Sequence, residues 1–417
     1  MTATRRGVLR LGLAGAAATL GCRLRDDGRT HIALWFSYGG RNRVVLERMV
    51  ERYNRSQTEI HVNPVFQGDY YEGVAKLRLA LAAKAAPALS HVIGEVVPYL
   101  AEAGVLERLD AFAGSTELDV IDELGQAKSW IGGDQRPLVT LPFNRSTPIA
   151  YLNADIFERA GLKPPTTWQE LRDVAKHLTV RDHGRTERYG FACPISWWMW
   201  IALVNQAGSD VVDPEGRVTL GAAAGVEALE FWQMLVHEDK TMKPPAGRDS
   251  SAYEIANNDF LSGRAAMIWN STAFLKYLED NASFPVLAAA LPKGRRFGVP
   301  TGGTHFVILD AAPLQHKQAA WRFLWWMHQP EQVIEWSLST GYMPTTHSAV
   351  RRLEQEGHYA AHPNDRVAYD QLRYARPWPW SPELFRIQRE VVQPRLEAAV
   401  VTNANARELM QRARREV

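Results

Sequence analysis

Four short segments of the sequence combine glycine, hydroxyl and aromatic residues and could bind a small polar ligand; they lie at residues 36–40, 67–70, 142–148 and 301–304. Glycine lets a backbone approach a ligand closely, and hydroxyl groups supply uncharged hydrogen bonds. A fifth segment holds Trp197 and Trp200, which would share one side of a helix. Such rings could stack on a sugar or polyol, or attract a quaternary ammonium group. Plain turns and a tryptophan-rich core are the alternative interpretation.

Motifs of well-known enzymes are absent from the sequence. It has no nucleotide-binding glycine loop, serine-hydrolase elbow, zinc-protease helix or paired cysteine motif. The 12 histidines are scattered without the spacing of metal ligands. Glycoside hydrolysis needs a pair of carboxylates, and no local motif in the sequence singles out such a pair. Because acidic residues are numerous, the composition leaves this activity open. We therefore predict a binding site without metal or cofactor, with a secreted glycosidase-like enzyme as the alternative.

Strand-like and helix-like patterns alternate from residue 31 onwards. Buried strands are predicted at 31–36, 60–65 and 88–93, with helices after each of them. This alternation predicts an α/β fold whose parallel sheet is covered on both faces. In such a sheet, ligands bind beyond the carboxyl ends of the strands, where the glycine-rich segments fall.

The N-terminus has the features of an export signal. Arg5 and Arg6 precede an apolar run at residues 11–21, which is too short for a permanent membrane anchor. The paired arginines resemble a twin-arginine signal, and Cys22 follows as in a bacterial lipobox, where it would be acylated. We therefore expect residues 1–22 to be a leader and the protein to be periplasmic or on the cell surface, with Cys22 as the candidate site of a lipid anchor.

Removal of the leader changes how the charge and the cysteines are interpreted. Without the three arginines of residues 1–21, the formal net charge falls from +2 to −1. No basic patch then indicates a nucleic-acid partner. Cys193 would be the only cysteine available inside the domain if Cys22 is acylated, so we expect it to be a small buried hydrophobic residue.

An ordered series of motifs runs through residues 31–417: PFNRSTPIAYLN at 142–153, AGL at 160–162, PTTW at 165–168, FLSGRAAM at 260–267, GG at 302–303 and TGYMP at 340–344. With this series the chain resembles the extracellular solute-binding proteins (family 1) of ABC importers, above all the glycerol-3-phosphate binders. The resemblance implies a two-lobed clamshell of the type II periplasmic-binding-protein class, with three hinge crossovers near 143–147, 296–301 and 341–346. Lobe 1 would comprise 31–143 and 301–341, and lobe 2 would comprise 144–300 and 342–417.

The resemblance also implies ligand-binding positions on both walls of the cleft: Ser37, Tyr70, Glu95, Ser146, Trp197, Trp200, Ser271, Gly302, Gly303, Tyr342 and Arg389. Glu95 matches only after a shift of one residue. Phe36 and the tryptophans Trp378 and Trp380 depart from the pattern of glycerol-3-phosphate binders, and this aromatic surface favours a neutral sugar or a choline-type head group. Arg389 and the glycine amides could still bind a phosphate, with Arg145 and Arg386 as helpers.

The function that follows is capture of a small polar metabolite outside the cytoplasmic membrane. A sugar, glycerol 3-phosphate or a glycerophosphodiester would close the lobes and be delivered to the transmembrane subunits of an ABC permease. The protein would act as a monomer, without a nucleic-acid partner, and would contact the membrane only through its leader or a lipid.

Overall fold

The computed structural model describes residues 27–114, 118–121, 138–213, 217–376 and 381–417. The predictions for the leader, Cys22, Trp378 and Trp380 lie outside these residues. No helix in the described ranges is both long and apolar enough to cross a membrane.

The strands of the described residues form two main sheets and one hairpin. They are β1 (Thr30–Phe36), β2 (Ile60–Phe66), β3 (Leu89–Ile93), β4 (Leu141–Ser146), β5 (Pro148–Asn153), β6 (Val180–Asp182), β7 (Arg185–Arg188), β8 (Met267–Ser271), β9 (Val286–Ala289) and β10 (Gly302–Ile308). The first sheet has the order β2-β1-β3-β10-β4, the second has the order β8-β5-β9, and β6 pairs with β7.

Helices cover both sheets. They are α1 (Gly40–Ser56), α2 (Tyr70–Ala82), α3 (Val97–Glu102), α4 (Asp110–Ala113), α5 (Ala154–Arg159), α6 (Trp168–Leu178), α7 (Trp197–Gln206), α8 (Ala222–Gln233), α9 (Asp249–Leu261), α10 (Leu275–Asn281), α11 (Leu314–Met327), α12 (Pro330–Thr340), α13 (His347–Gln355), α14 (His358–Ala361), α15 (Asn364–Gln371), α16 (Leu384–Arg386), α17 (Gln393–Thr402) and α18 (Ala406–Glu416). Tight 3-10 turns lie at Gly94–Val96, Thr272–Phe274 and Leu372–Tyr374, and wide π-helical turns at Met234–Glu238 and Ile387–Val392.

The three strands predicted at 31–36, 60–65 and 88–93 form the parallel part of a mixed sheet. Strand β1 does pair in parallel with β2 and β3, but β10 runs antiparallel to both β3 and β4. The second sheet is entirely antiparallel. The physical reason is that β10 enters the first sheet from the second lobe, so its direction is set by that crossover and not by a local strand–helix–strand unit.

Each sheet has its own hydrophobic core, and we name the two halves lobe 1 and lobe 2 after the first and second sheets. Chain segments pass between them at Thr147, at residues 290–301 and at residues 341–346. The backbone N–H of Met343 donates to the Arg145 carbonyl at 2.9 Å, and Gly302 pairs with Ser146. The three crossovers therefore lie side by side.

Candidate ligand-binding cleft

Two tyrosines from distant parts of the chain meet beside the crossovers. Asp69 caps α2 by accepting from the N–H groups of Tyr71 and Glu72, both at 2.8 Å, which fixes Tyr70 in the first turn. The Tyr70 and Tyr342 hydroxyl oxygens are 3.3 Å apart, and Asn144 Nδ2 donates to the Tyr70 hydroxyl at 3.4 Å. The structure thus brings two of the expected ligand-binding residues together.

Glu95 and Arg145 supply the charge of this region. Glu95 lies in the tight turn that follows β3, and burial raises its pKa from 4.5 to about 7, although Arg145 acts in the opposite direction. Burial lowers the pKa of Arg145 to about 10, against the influence of Glu95. Arg145 is 5% exposed, and its Nη2 donates to Thr301 Oγ1 at 3.0 Å. A buried cation therefore stands between two crossovers.

Glycine is required where β10 approaches β4. Gly303 has φ +104, and a Cβ atom there would lie 1.8 Å from the carbonyl oxygen of Asn144. A Cβ atom on Gly302 would lie 2.7 Å from the indole of Trp198, whose Nε1 donates to the carbonyl of Thr301 at 3.1 Å. Trp198 therefore closes the lobe 2 side of this glycine pair.

Hydroxyl residues mark the ends of one strand from each sheet beside the first crossover. Ser146 is 4% exposed at the end of β4. Ser271 is 8% exposed at the end of β8, and its Oγ accepts from the N–H of Ala273 at 3.2 Å. The neighbouring Thr272 Oγ1 is buried without a hydrogen-bond partner among the described residues. Both serines thus lie at the ends of strands that adjoin the first crossover.

The expectation that Trp197 and Trp200 present open ring faces does not fit the structure. Trp197 is 1% exposed and Trp200 is fully buried, and both belong to the lobe 2 core. Trp200 Nε1 donates to the carbonyl of Gly225 on α8 at 3.1 Å. The segment is apolar on most sides, so the lobe 2 core takes up both rings, and Trp198 is the ring that reaches the crossover.

Arg389 lies at the rim, where lobe 2 touches lobe 1. It forms an ion pair with Asp249, and its guanidinium carbon is 3.8 Å from the ring centroid of Tyr71 on α2. Gln388 Nε2 donates to the Tyr71 hydroxyl at 3.1 Å, and the Phe385 ring is 5.9 Å from the Tyr71 ring. Tyr71 on α2 therefore contacts lobe 2 directly, next to the site that holds Tyr70.

Ser37 lies at the end of β1 with 7% exposure. A Cβ atom on Gly73 of α2 would lie 2.0 Å from Ser37 Oγ, so this serine packs closely against α2. No hydrogen bond among the described residues links Ser37 to Tyr70 or Tyr342. Histidine, cysteine and acidic residues of the described ranges form no cluster that could hold a metal ion.

A model of the bacterial extracellular solute-binding proteins matches residues 48–364, about three quarters of the chain. The chain belongs to this family. The family resemblance that the sequence motifs indicated is therefore confirmed.

Relatives of this solute-binding protein agree with the family assignment. It is 25% identical over 395 residues to the sn-glycerol-3-phosphate-binding periplasmic protein UgpB of Salmonella typhimurium, covering 89% of this chain and 86% of the relative. The crystal structure of UgpB from Mycobacterium tuberculosis in complex with glycerophosphocholine is similar with a TM-score of 0.81, at 24% identity, over 93% of this chain and 98% of that one. The GacH receptor of Streptomyces glaucescens, solved unliganded and with acarbose, gives a TM-score of 0.81 at 18% identity, over 93% and 97% of the chains. The predicted two-lobed clamshell fold is thus confirmed.

Sequence reasoning missed Trp198 and Tyr71 in the cleft of this solute-binding protein, and it included Thr301 only as part of the segment 301–304. Trp198 was passed over for its neighbours because the helical spacing of Trp197 and Trp200 was the stronger pattern. Thr301 and Tyr71 carry no spacing signal, since their contacts join segments more than a hundred residues apart. Arg145 was named only as a helper, and its burial in a polar motif was the available signal.

Proposed function

We propose that this solute-binding protein captures a small polar metabolite between its lobes and delivers it to an ABC permease. The ligand is a sugar, glycerol 3-phosphate or a glycerophosphodiester. The observation that carries the proposal is the meeting of Tyr70, Tyr342, Ser146, Gly302 and Arg145 where all three crossovers adjoin.

The ligand would make contacts with both lobes, with Tyr70, Glu95 and the Gly302–Gly303 backbone on one side and Tyr342 at the third crossover. Ser146 and Ser271 would supply hydroxyls from the other side. Hinge closure follows because a ligand that contacts both lobes stabilises the closed state over the open one. Ser37 would play an indirect part by supporting α2. The lobes are proposed to comprise residues 31–143 with 301–341, and 144–300 with 342–417.

Further parts of the proposal concern the form of the protein. It is exported through its leader, by the twin-arginine route, and held at the membrane by a lipid on Cys22. It acts as a monomer, and it binds its ligand without turning it over. Replacement of Cys22 by alanine should release the protein from membranes, whereas replacement of Cys193 should leave its location unchanged.

A thermal-shift screen tests the ligand class. The panel comprises glycerol 3-phosphate, glycerophosphocholine, maltose and maltotriose, because these represent phosphate monoesters, phosphodiesters and neutral sugars. A ligand at 100 times its Kd stabilises the folded state by about 2.7 kcal/mol, which is readily measured. Recovery of the bound compound unchanged supports a binding protein. Product formation that is lost on replacing one Asp or Glu would show an enzyme instead.

A further inference from the structure

The second crossover, residues 290–301, lies along helix α7. At the C-terminal end of α7, the carbonyl of Gln206 accepts from the N–H of Arg295 at 2.8 Å. At the N-terminal end of α7, Trp198 Nε1 donates to the carbonyl of Thr301 at 3.1 Å. The crossover therefore runs antiparallel to α7 and is bonded to it at both ends.

Asp210, just beyond α7, binds two arginines through its carboxylate. It accepts from Arg376 Nε and Nη2 at 3.0 and 2.6 Å and from Arg296 Nη2 at 2.8 Å. Burial acts to raise the pKa of Asp210, but the hydrogen bonds and charges of the two arginines lower it below its ordinary value. The carboxylate is therefore ionised at neutral pH, and pairs of this charged, bidentate kind are among the stronger hydrogen bonds of proteins.

Both arginines connect this carboxylate to the second crossover. Arg296 belongs to the crossover, and its Nε also donates to the carbonyl of Asn205 on α7 at 2.8 Å. The N–H of Arg376 donates to the carbonyl of Val299 at 3.0 Å, and the N–H of Val299 donates to the carbonyl of Tyr374 at 3.2 Å. The crossover is thus held between α7 and the segment of Arg376, which both belong to lobe 2.

Thr301 is the last residue of the stretch that is held in this way. Its Oγ1 accepts from Arg145 Nη2 at 3.0 Å, and the next residue, Gly302, pairs with Ser146 in the first sheet. The second crossover should therefore move with lobe 2 as far as Thr301. Bending is left to the step from Thr301 into β10, in keeping with hinges that consist of a few residues at the end of an element.

We infer that Asp210 is a positioning residue for solute binding, which acts through Arg296 and Arg376 and not by contact with the solute. By holding the second crossover on α7, it determines where Thr301 and Gly302 stand relative to lobe 2 when the lobes close. The inference rests on the proposed function, because it concerns closure of the lobes on a solute. Without Asp210, fewer molecules have the crossover where closure requires it, and the apparent affinity falls with that fraction.

Asp239 provides a matched control in the same lobe. It accepts from both Nε and Nη2 of Arg172, and it pairs with a second cation, Lys176. Both cations belong to α6, and Asp239 follows the π-helical turn at Met234–Glu238, so no member of this cluster lies in a crossover. Loss of Asp239 should therefore affect the stability of lobe 2 but not closure.

Distances between spin labels test the inference without a ligand. The labels replace Leu79 and Val401, which are exposed residues of lobe 1 and lobe 2. Asp210→Ala should broaden the distribution of distances between the lobes, whereas Asp239→Ala should leave it as in the wild type. If neither variant changes the distribution, or if both broaden it alike, the inference is wrong.

Calorimetric titration with glycerophosphocholine and with maltotriose measures the consequence for binding. For whichever compound binds, Asp210→Ala should weaken the affinity by about 10-fold, and Asp239→Ala should leave it within about twofold. Asp210→Asn should have a smaller effect because the amide keeps one acceptor oxygen, and this variant decides the question if Asp210→Ala does not fold. Equal affinities of the wild type and the Asp210 variants would overturn the inference.

The outcomes also separate this inference from the proposed function. Binding of either compound with the same affinity in the wild type and the Asp210 variants overturns the role of Asp210 and leaves the proposed function intact. If neither compound binds, the ligand class of the proposed function is wrong, and the distance measurements still decide whether Asp210 positions the crossover.

Discussion

Replacing Tyr71 with alanine is expected to open the clamshell. Tyr71 is the lobe 1 residue that three lobe 2 side chains contact: Arg389 lies over its ring, Gln388 donates to its hydroxyl, and Phe385 packs beside it. The ion pair between Arg389 and Asp249 lies within lobe 2 and holds the guanidinium in place. These contacts exist only while the lobes are together.

The magnitude follows from the three contacts of Tyr71. The hydrogen bond contributes about 1 kcal/mol, the cation–π contact about 1 kcal/mol and the ring contact about 0.5 to 1 kcal/mol. Tyr71→Ala should therefore lower the closed-to-open ratio by about 70- to 150-fold, equivalent to about 2.5 to 3 kcal/mol. Tyr71→Phe keeps the ring and should lose only the hydrogen bond, or about fivefold.

Distance measurements between spin labels test this prediction without a known ligand. Leu79 in lobe 1 is 72% exposed and Val401 in lobe 2 is 54% exposed, so cysteine labels at these two positions should leave the cores intact. The long-distance population should grow in the order wild type, Tyr71→Phe, Tyr71→Ala. Arg389→Ala combined with Tyr71→Ala should cost less than the sum of the single changes, because both remove one contact. Fully additive effects, or an unchanged distance distribution, would refute the reasoning.

Three further predictions concern stability. Burial raises the pKa of Glu95 from 4.5 to about 7, so the unfolded chain loses this proton at lower pH than the folded protein does. The free energy of unfolding should therefore fall as the pH rises from 4.5 to about 7, and Glu95→Gln should remove this pH dependence. Urea unfolding at several pH values checks this, and parallel pH profiles of the wild type and Glu95→Gln would contradict it. Trp200→Ala should lower the free energy of unfolding by about 3 to 5 kcal/mol because the Trp200 ring is fully buried. Trp198 is only half-buried, so Trp198→Ala should lower it by less. Equal losses in urea titrations would contradict this difference in burial. Gly303→Ala should lower the free energy of unfolding by about 1 to 3 kcal/mol because of its positive φ alone. The clash of the new Cβ atom with Asn144 should lower the Tm further, below that of Gly161→Ala, where φ is also positive but no atom is close. Equal Tm values of the two variants would argue against a close approach at Gly303.

Sequence periodicity predicted local structure well where burial is regular. On α1, the helical spacing of Leu46, Met49, Val50 and Tyr53 indicates one buried face, and all four are buried, whereas Val44 fits the same spacing but is 62% exposed and Val45 is buried instead. Thr167 and Glu170 have the spacing of a capping box, and α6 begins there because Thr167 accepts from the N–H of Glu170 at 3.1 Å. Cys193 is buried as expected. These features depend on residues close in sequence.

Features that depend on distant segments were not predictable from patterns. The Tyr70 and Tyr342 hydroxyls are joined across 272 positions of the chain, and only the family resemblance named both residues. For Trp197 and Trp200, a pattern was present but was interpreted wrongly. Helical spacing shows that two rings share a side of the helix, but it does not show whether that side faces solvent or α8. The antiparallel β10 was missed for a related reason, since its direction depends on where the preceding lobe ends.

The position of β10 also determines when lobe 1 can be completed during synthesis. Strands β1 to β4 emerge first, but β10 separates β3 from β4 and follows every strand of the second sheet. Until residues 302–308 are available, β3 and β4 each have an edge without its final neighbour, and such edges are prone to pair with other chains. Lobe 2 interrupts lobe 1 and can assemble its sheet earlier. A nascent chain of this protein therefore has to be protected from aggregation for most of its length before its first-made lobe can fold.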